Sequence, residues 1–91
     1  MRFLPKLLDF LNQHGTIYTV RRYKYLTTEV YVEGVGRCKL SLIRCVSNRD
    51  ELAYYVVGSG FDSVDEWWAA IRKFIPMRGA DMWLFKVVVK K

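Results

Sequence analysis

The chain has 91 residues, of which 52% are hydrophobic and 15% aromatic, and its net charge is +6 at pH 7. This composition excludes a disordered chain, and the length suits one small domain, residues 1–91. Two cysteines and one histidine are too few for a disulfide framework or a zinc site. We therefore expect reduced thiols, no metal and no cofactor.

Neither a targeting signal nor a membrane span is indicated. The apolar start is interrupted by Asp9, and no apolar run approaches the length of a membrane span. We expect a cytoplasmic protein without a membrane partner, and the oligomeric state stays open. Residues 16–49 hold seven cations against two acids, which favours an anionic partner.

An amphipathic helix is predicted over residues 5–13. Leucines recur at helical spacing on one face of this segment: Leu4, Leu7, Leu8 and Leu11. Pro5 suits the first turn of a helix, and His14 followed by Gly15 is typical of a helix end.

Aromatic rings and cations alternate in the next segment, which predicts a β-strand over residues 16–28. One side of this strand would carry Thr19, Arg21, Tyr23 and Tyr25. The other side would carry Tyr18, Val20, Arg22 and Lys24. Rings stack on bases and cations neutralise phosphates, so the pattern favours single-stranded RNA or DNA. The alternative is a half-exposed strand whose tyrosines pack inward and whose cations are only solvated.

Further β structure is predicted by alternating apolar and polar residues. Strands are expected over residues 29–33 and 37–46, joined by a glycine turn at residues 34–36. Residues 52–57 are expected to form either a short strand or a loop. A largely buried strand over residues 82–89 closes the chain.

A second helix lies between these last two segments. Ser63 is a natural N-cap, Glu66 completes a capping box, and Pro76 ends the helix. Its buried face is expected to carry Val64, Trp67, Trp68, Ile71 and Ile75. We expect the tryptophans in the core, with Trp68 or Phe74 as the exposed exception.

The element order predicts an α+β fold, a small and mostly antiparallel β-barrel with two packed helices. Cys38 and Cys45 lie an odd number of residues apart on one predicted strand. They would therefore face opposite sides, which disfavours a disulfide between them.

Four motifs in this order resemble the ASCH domain of the PUA-like β-barrel superfamily. They are the Thr-x-Arg strand at 19–21, the strand after the glycine turn at 36–43, the "GF-x-S-x-x-E" helix entry at 60–67 and the closing strand at 83–87. The similarity spans about residues 4–89.

This resemblance implies a barrel with a cleft between the first basic strand and a neighbouring helix. In the superfamily that cleft is associated with RNA or modified nucleosides. Some small ASCH proteins are amidohydrolases that use a lysine, the threonine of Thr-x-Arg and a glutamate. Here the threonine is Thr19, but the lysine position falls on Thr16 and the glutamate position on about Gly60. Neither residue supplies the amine or the carboxylate, which makes this chemistry improbable.

The leading hypothesis is therefore a nucleic-acid-binding module for RNA or another single-stranded nucleic acid. The predicted site residues are Tyr18, Thr19, Arg21, Arg22, Tyr23, Lys24, Tyr25, Arg37 and Lys39.

Two alternatives remain open. One is a small enzyme acting on RNA or modified nucleosides, either a ribonuclease or an amidohydrolase, with a variant catalytic set. That set would be drawn from Thr19, Tyr23, Lys24 and Lys39. The other alternative is a protein-interaction domain that uses a Trp-rich surface.

Overall fold

The computed structural model describes residues 1–76 and 81–90. Its elements in chain order are α1 (Pro5–His14), β1 (Thr16–Arg21), β2 (Glu29–Val32), β3 (Gly36–Val46), a 3₁₀ helix (Arg49–Gly58), α2 (Val64–Phe74) and β4 (Met82–Val89). The predicted α+β class is therefore confirmed. Within the described residues, no helix is long and apolar enough to cross a membrane.

The four strands form one antiparallel sheet in the order β1-β4-β3-β2. Along the β1–β4 pair, Thr16 lies opposite Val88 and Arg21 lies opposite Trp83. The two edge strands, β1 and β2, do not pair with each other in the part of the chain that the structure describes. The sheet is open there, and the predicted closure into a barrel is not confirmed.

Alternate residues of β4 point to opposite faces of the sheet and are buried in two separate cores, one on each face. The core on the face that packs against α1, here called the α1 face, contains Leu11, Ile17, Val32, Cys38, Leu40, Phe85 and Val87. The core on the face that packs against α2 and the 3₁₀ helix, here called the α2 face, contains Val46, Leu52, Trp67, Ile71, Ile75, Met82 and Leu84. Both helices are therefore anchored through the same central strand.

Both predicted α-helices are confirmed, with their capping residues. Gly15 has a φ of 76° and donates its N–H to the Leu11 carbonyl at 2.8 Å, which ends α1. The Ser63 hydroxyl accepts the Glu66 N–H at 3.1 Å, which begins α2. The Glu66 carboxylate bonds Lys6 instead of returning to the cap, so only half of the predicted capping box forms.

The strand predicted over residues 16–28 is too long, because β1 ends at Arg21. β4 begins at Met82, one residue before the Trp83 that pairs with Arg21, so almost no length of β4 remains to pair with residues beyond Arg21. Residues 22–28 instead connect one edge of the sheet to the other across the α1 face. There the Tyr25 ring meets the Phe85 ring edge-on at 5.6 Å.

Residues 52–57 form neither a strand nor a loop, because they belong to the 3₁₀ helix. The Asn48 side chain accepts the Glu51 N–H at 3.3 Å and caps this helix. Leu52 is fully buried, and Tyr55 packs edge-on against Tyr18 at 5.0 Å. Both edges of β4 and β3 are already paired, so the segment covers the α2 face rather than adding a strand.

The prediction that Cys38 and Cys45 face opposite sides is wrong. The register of β3 against β4 shifts between Leu42 and Arg44, and this bulge reverses the alternation. Cys38 and Cys45 consequently lie on the same face, at opposite ends of β3. Both thiols are free, with Cys38 buried and Cys45 exposed.

Candidate functional site

A cavity of about 660 Å³ lies beside the end of β1, and we call it the cleft. β1 is an edge strand, and α1 and α2 pack on opposite faces of the sheet. A groove therefore remains between the two helices along the outer edge of β1. One wall comes from the segment before and within α1: Arg2, Phe3, Leu4, Pro5 and Leu7. The other wall comes from α2 and its flanks: Phe61, Trp67, Ala70, Ile71, Phe74 and Ile75. The floor comes from β1 and the following loop: Thr19, Val20, Arg21, Arg22, Tyr23 and Tyr25.

Arg21 is held in a defined position on the cleft floor. Its Nε donates to the Thr19 hydroxyl at 3.1 Å, and its Nη2 donates to the Arg2 carbonyl at 2.9 Å. The guanidinium carbon lies 4.8 Å from the centre of the Phe3 ring, within the range of a cation–π contact. A guanidinium carries five N–H donors, so these bonds leave others free to reach a ligand in the cleft.

Partial burial affects the pKa of Arg21 but not its charge at neutral pH. Desolvation lowers the pKa of Arg21 from its ordinary value, and Tyr25 opposes this effect. Arginine begins so far above neutral pH that it keeps its charge. The cleft therefore contains a permanent, partly desolvated cation, whose interaction with an anion is stronger than that of a fully exposed cation.

Two exposed aromatic rings line the rim of the cleft. Tyr23, in the loop after β1, is 68% exposed, and Phe74, at the end of α2, is 66% exposed. Arg22, next to Tyr23, is also exposed and forms no salt bridge among the described residues. The rim thus combines exposed rings with an exposed cation, a combination that suits a ligand with flat rings and negative charge.

The α1 and α2 sides of the cleft are joined through Lys6. Its ammonium bonds the Glu66 carboxylate at 3.0 Å and lies 4.9 Å from the centre of the Phe61 ring. Both ends of the ion pair are about half exposed, so its contribution to stability is small. The contact nevertheless ties the first turn of α1 to the first turn of α2 and helps to set the width of the groove.

The nine predicted site residues do not form one surface. The cleft brings together five of them: Thr19, Arg21, Arg22, Tyr23 and Tyr25. Tyr18 packs under the 3₁₀ helix on the α2 face, where its ring lies against Tyr55 and beside Gly58. Lys24 lies over the Trp83 ring, with its ammonium 5.0 Å from the ring centre. Arg37 and Lys39 are exposed on β3, away from the cleft.

The catalytic set of the enzymatic alternative is divided in the same way. Thr19 and Tyr23 line the cleft, whereas Lys24 and Lys39 do not. The described lining residues offer hydroxyl groups and guanidinium groups as their polar side chains. These groups donate hydrogen bonds to anions and to carbonyl oxygens, so the arrangement suits binding.

Several cleft residues lie outside the predicted site. Arg2, Phe3 and Trp67 come from other parts of the chain, and only the packing of α1 and α2 around the edge of β1 brings them together. Phe74 is the exposed exception that the helical spacing of α2 anticipated. The described residues contain no cluster of three or more His, Cys, Asp or Glu side chains that could hold a metal ion.

Comparison of the chain with known protein families, curated proteins and solved structures finds no match. The resemblance to the ASCH domain therefore depends on the four sequence motifs alone and stays a prediction.

Proposed function

We propose that the chain is a nucleic-acid-binding module that holds a single strand of RNA or DNA in the cleft. The observation that carries this proposal is the joint presence, in one cavity, of ring-lined walls and the guanidinium of Arg21. Aromatic walls accept a base, and arginine donors match phosphate oxygens and base edges. The exposed Arg22 adds a salt-sensitive contact at the rim.

The size of the cleft supports a ligand of nucleotide dimensions. Its volume of about 660 Å³ lies within the range of pockets that enclose small molecules and cofactors. Its walls are mainly apolar and its polar groups are few, as in most such pockets. We infer that one nucleotide of the strand enters the cleft, with its base between the walls and its phosphate near Arg21 and Arg22.

We further propose that the fold is of the ASCH type within the PUA-like superfamily. Two observations support this. The Thr19-Val20-Arg21 motif, which carries part of the resemblance, lies on the cleft floor. The cleft itself lies between the first basic strand and a helix, as the resemblance implies.

Titration of labelled oligonucleotides tests the proposed function. A trinucleotide is the short probe, which places one nucleotide in the cleft and its neighbours at the rim, and a strand of about 12 nucleotides covers a footprint typical of single-strand binders. We expect both to bind at low salt. Arg22→Ala should weaken both by about tenfold and reduce the slope of log K against log salt by roughly 0.7.

Arg49→Ala is the matched control for this variant. It removes the same charge from an exposed arginine that is paired with Asp65 away from the cleft. Absence of binding by the wild type at low salt, or equal weakening by both substitutions, would contradict the proposal. Analysis of the recovered RNA separates the enzymatic alternative, since cleavage that is lost in Lys24→Ala would identify turnover.

A further inference from the structure

Part of the α2 face lies outside the core that α2 and the 3₁₀ helix cover. We call this uncovered part the open sheet face, and it comprises Tyr31, Arg37, Lys39, Ser41, Lys86 and Val88. Across the ladder, Tyr31 lies opposite Arg37, Lys39 opposite Val88, and Ser41 opposite Lys86. Their neighbours along each strand are buried in the core of the α1 face, so these six side chains point the other way.

The open sheet face is strongly cationic. Arg37, Lys39 and Lys86 form no salt bridge within the described part of the chain. The acid beside these six residues is Glu29, which lies opposite Lys39 and bonds Lys90 at 2.5 Å. That bond, with the charges of Lys90 and Arg37, lowers the pKa of Glu29, so the acid stays ionised and compensates one cation.

An exposed aromatic ring lies among these cations. Tyr31 is 66% exposed and is the direct cross-strand partner of Arg37. A flat ring beside cations that form no salt bridge, on an antiparallel sheet, is an arrangement by which sheet surfaces stack bases and hold phosphates.

This surface is separate from the cleft. Arg21 lies opposite Trp83 on β4, and the carbonyl of Arg37 accepts the N–H of Lys90 at 3.1 Å. Trp83 and Lys90 are seven positions apart along extended chain, which corresponds to roughly 24 Å. A ligand confined to the cleft therefore does not reach the end of the open sheet face that carries Arg37.

We propose that the open sheet face is a second nucleic-acid contact surface, which binds the phosphates and one base of a strand whose other part occupies the cleft. This inference rests on the proposed function, since it assigns a longer footprint to the same ligand. Arg37, Lys39 and Lys86 hold phosphates, and Tyr31 stacks on a base. The two surfaces together make affinity depend on the length of the strand.

The test compares two charge-matched double variants. R37Q/K39Q removes two cations from the open sheet face, and R44Q/R49Q removes two cations that are paired with Glu51 and Asp65. R37Q/K39Q should weaken the strand of about 12 nucleotides by about tenfold and lower its salt slope by roughly 1.4. It should leave the affinity for the trinucleotide unchanged. R44Q/R49Q should change both affinities by less than about twofold.

Each outcome bears on one or both proposals. If R37Q/K39Q leaves the longer strand unaffected while the trinucleotide binds the wild type, the second surface is overturned and the proposed function stands. Equal weakening by the two double variants also overturns it, because the effect is then one of net charge. If the wild type binds neither oligonucleotide, both proposals fail.

Substitutions of Tyr31 test whether the open sheet face binds nucleic acid in particular or any polyanion. Tyr31→Ala should weaken the longer strand about fivefold, and Tyr31→Phe should restore it, because stacking needs the ring and not the hydroxyl. Polyglutamate is the matched probe, since it carries charge without bases. If polyglutamate binds as tightly as the oligonucleotide and Tyr31→Ala changes neither, the surface is a general anion site and the proposal is overturned.

Discussion

The cleft and the open sheet face are both cationic, but they hold their charges in different ways. In the cleft, Arg21 is bonded to Thr19 and to the Arg2 carbonyl and lies against Phe3. On the open sheet face, Arg37 and Lys39 are exposed and form no side-chain hydrogen bond among the described residues. The cleft cation is therefore held in one hydrogen-bonded geometry, and the cations of the open sheet face are not.

This difference separates specificity from affinity. A guanidinium that is already ordered loses little entropy when a ligand arrives and presents its donors in one geometry. Exposed lysines and arginines attract a phosphate backbone from any direction and are screened by salt. We therefore expect the cleft to select which nucleotide binds and the open sheet face to set how strongly a long strand is held.

The largest expected effect comes from Arg21→Ala. Its loss removes two hydrogen bonds and a cation–π contact from a partly buried site, so the free energy of unfolding should fall by about 2 kcal/mol. Arg37→Ala, on the open sheet face, should change it by less than about 0.5 kcal/mol. Urea unfolding of both variants, followed by circular dichroism, measures this difference.

Arg21→Lys is the control for the charge of this residue. It keeps the cation but cannot reproduce the two-pronged hydrogen bonding, so it should recover less than half of the lost stability. A double-mutant cycle with Phe3→Ala should also be non-additive, because the two side chains are in contact. Equal destabilisation by Arg21→Ala and Arg37→Ala would show that the cleft cation is no more ordered than the exposed one.

A smaller effect is expected at the rim of the cleft. Tyr23→Ala and Phe74→Ala should each weaken the trinucleotide by about tenfold, because a base loses one stacking surface. Both rings are about two-thirds exposed, so the free energy of unfolding should stay nearly constant. Tyr54→Ala is the matched control, since Tyr54 is 85% exposed on the 3₁₀ helix and outside the cleft. Equal weakening by all three variants would contradict a cleft that stacks bases.

The two α-helices could be predicted from the sequence because the residues that form and end them are neighbours along the chain. The leucine stripe and Gly15 define α1, and Ser63 begins α2 through its own side-chain bond. The end of β1 is different, since it depends on where its partner strand β4 begins. The bulge in β3 also depends on pairing between strands, which is why the alternation of Cys38 and Cys45 misled the prediction.

The site was predictable only in part for a related reason. The alternation of rings and cations identifies Thr19, Arg21 and Tyr23, all of which line the cleft. The same pattern cannot show that Phe3 would lie against Arg21, because that contact depends on how α1 packs over the sheet. Arg37 was predicted to share one site with Arg21, but it does not line the cleft, because the sheet order places its strand away from β1.

The last prediction concerns thiol chemistry, and it uses one cysteine near each region. Cys38 lies on β3 between Arg37 and Lys39, and its side chain is buried in the core of the α1 face, behind the open sheet face. Cys45 is exposed and lies opposite Trp83, at the end of the sheet where β1 meets the cleft. The thiolate is the reactive form, and burial raises the pKa of the Cys38 thiol, which lowers its thiolate fraction at mildly alkaline pH.

With a coloured disulfide reagent at pH 8, one thiol should therefore react rapidly in the folded protein and the second only in urea. We expect Cys38 to react more slowly by a factor of more than about 100, because access requires β3 to open. Cys45→Ser should abolish the rapid phase, which would show that this phase is the reaction of Cys45. The R37Q/K39Q variant should keep Cys38 protected, so that its loss of binding reflects lost charge and not a loosened strand. Rapid labelling of Cys38 in the wild type would mean that β3 opens readily, and the open sheet face would then be no rigid platform for a nucleic-acid strand.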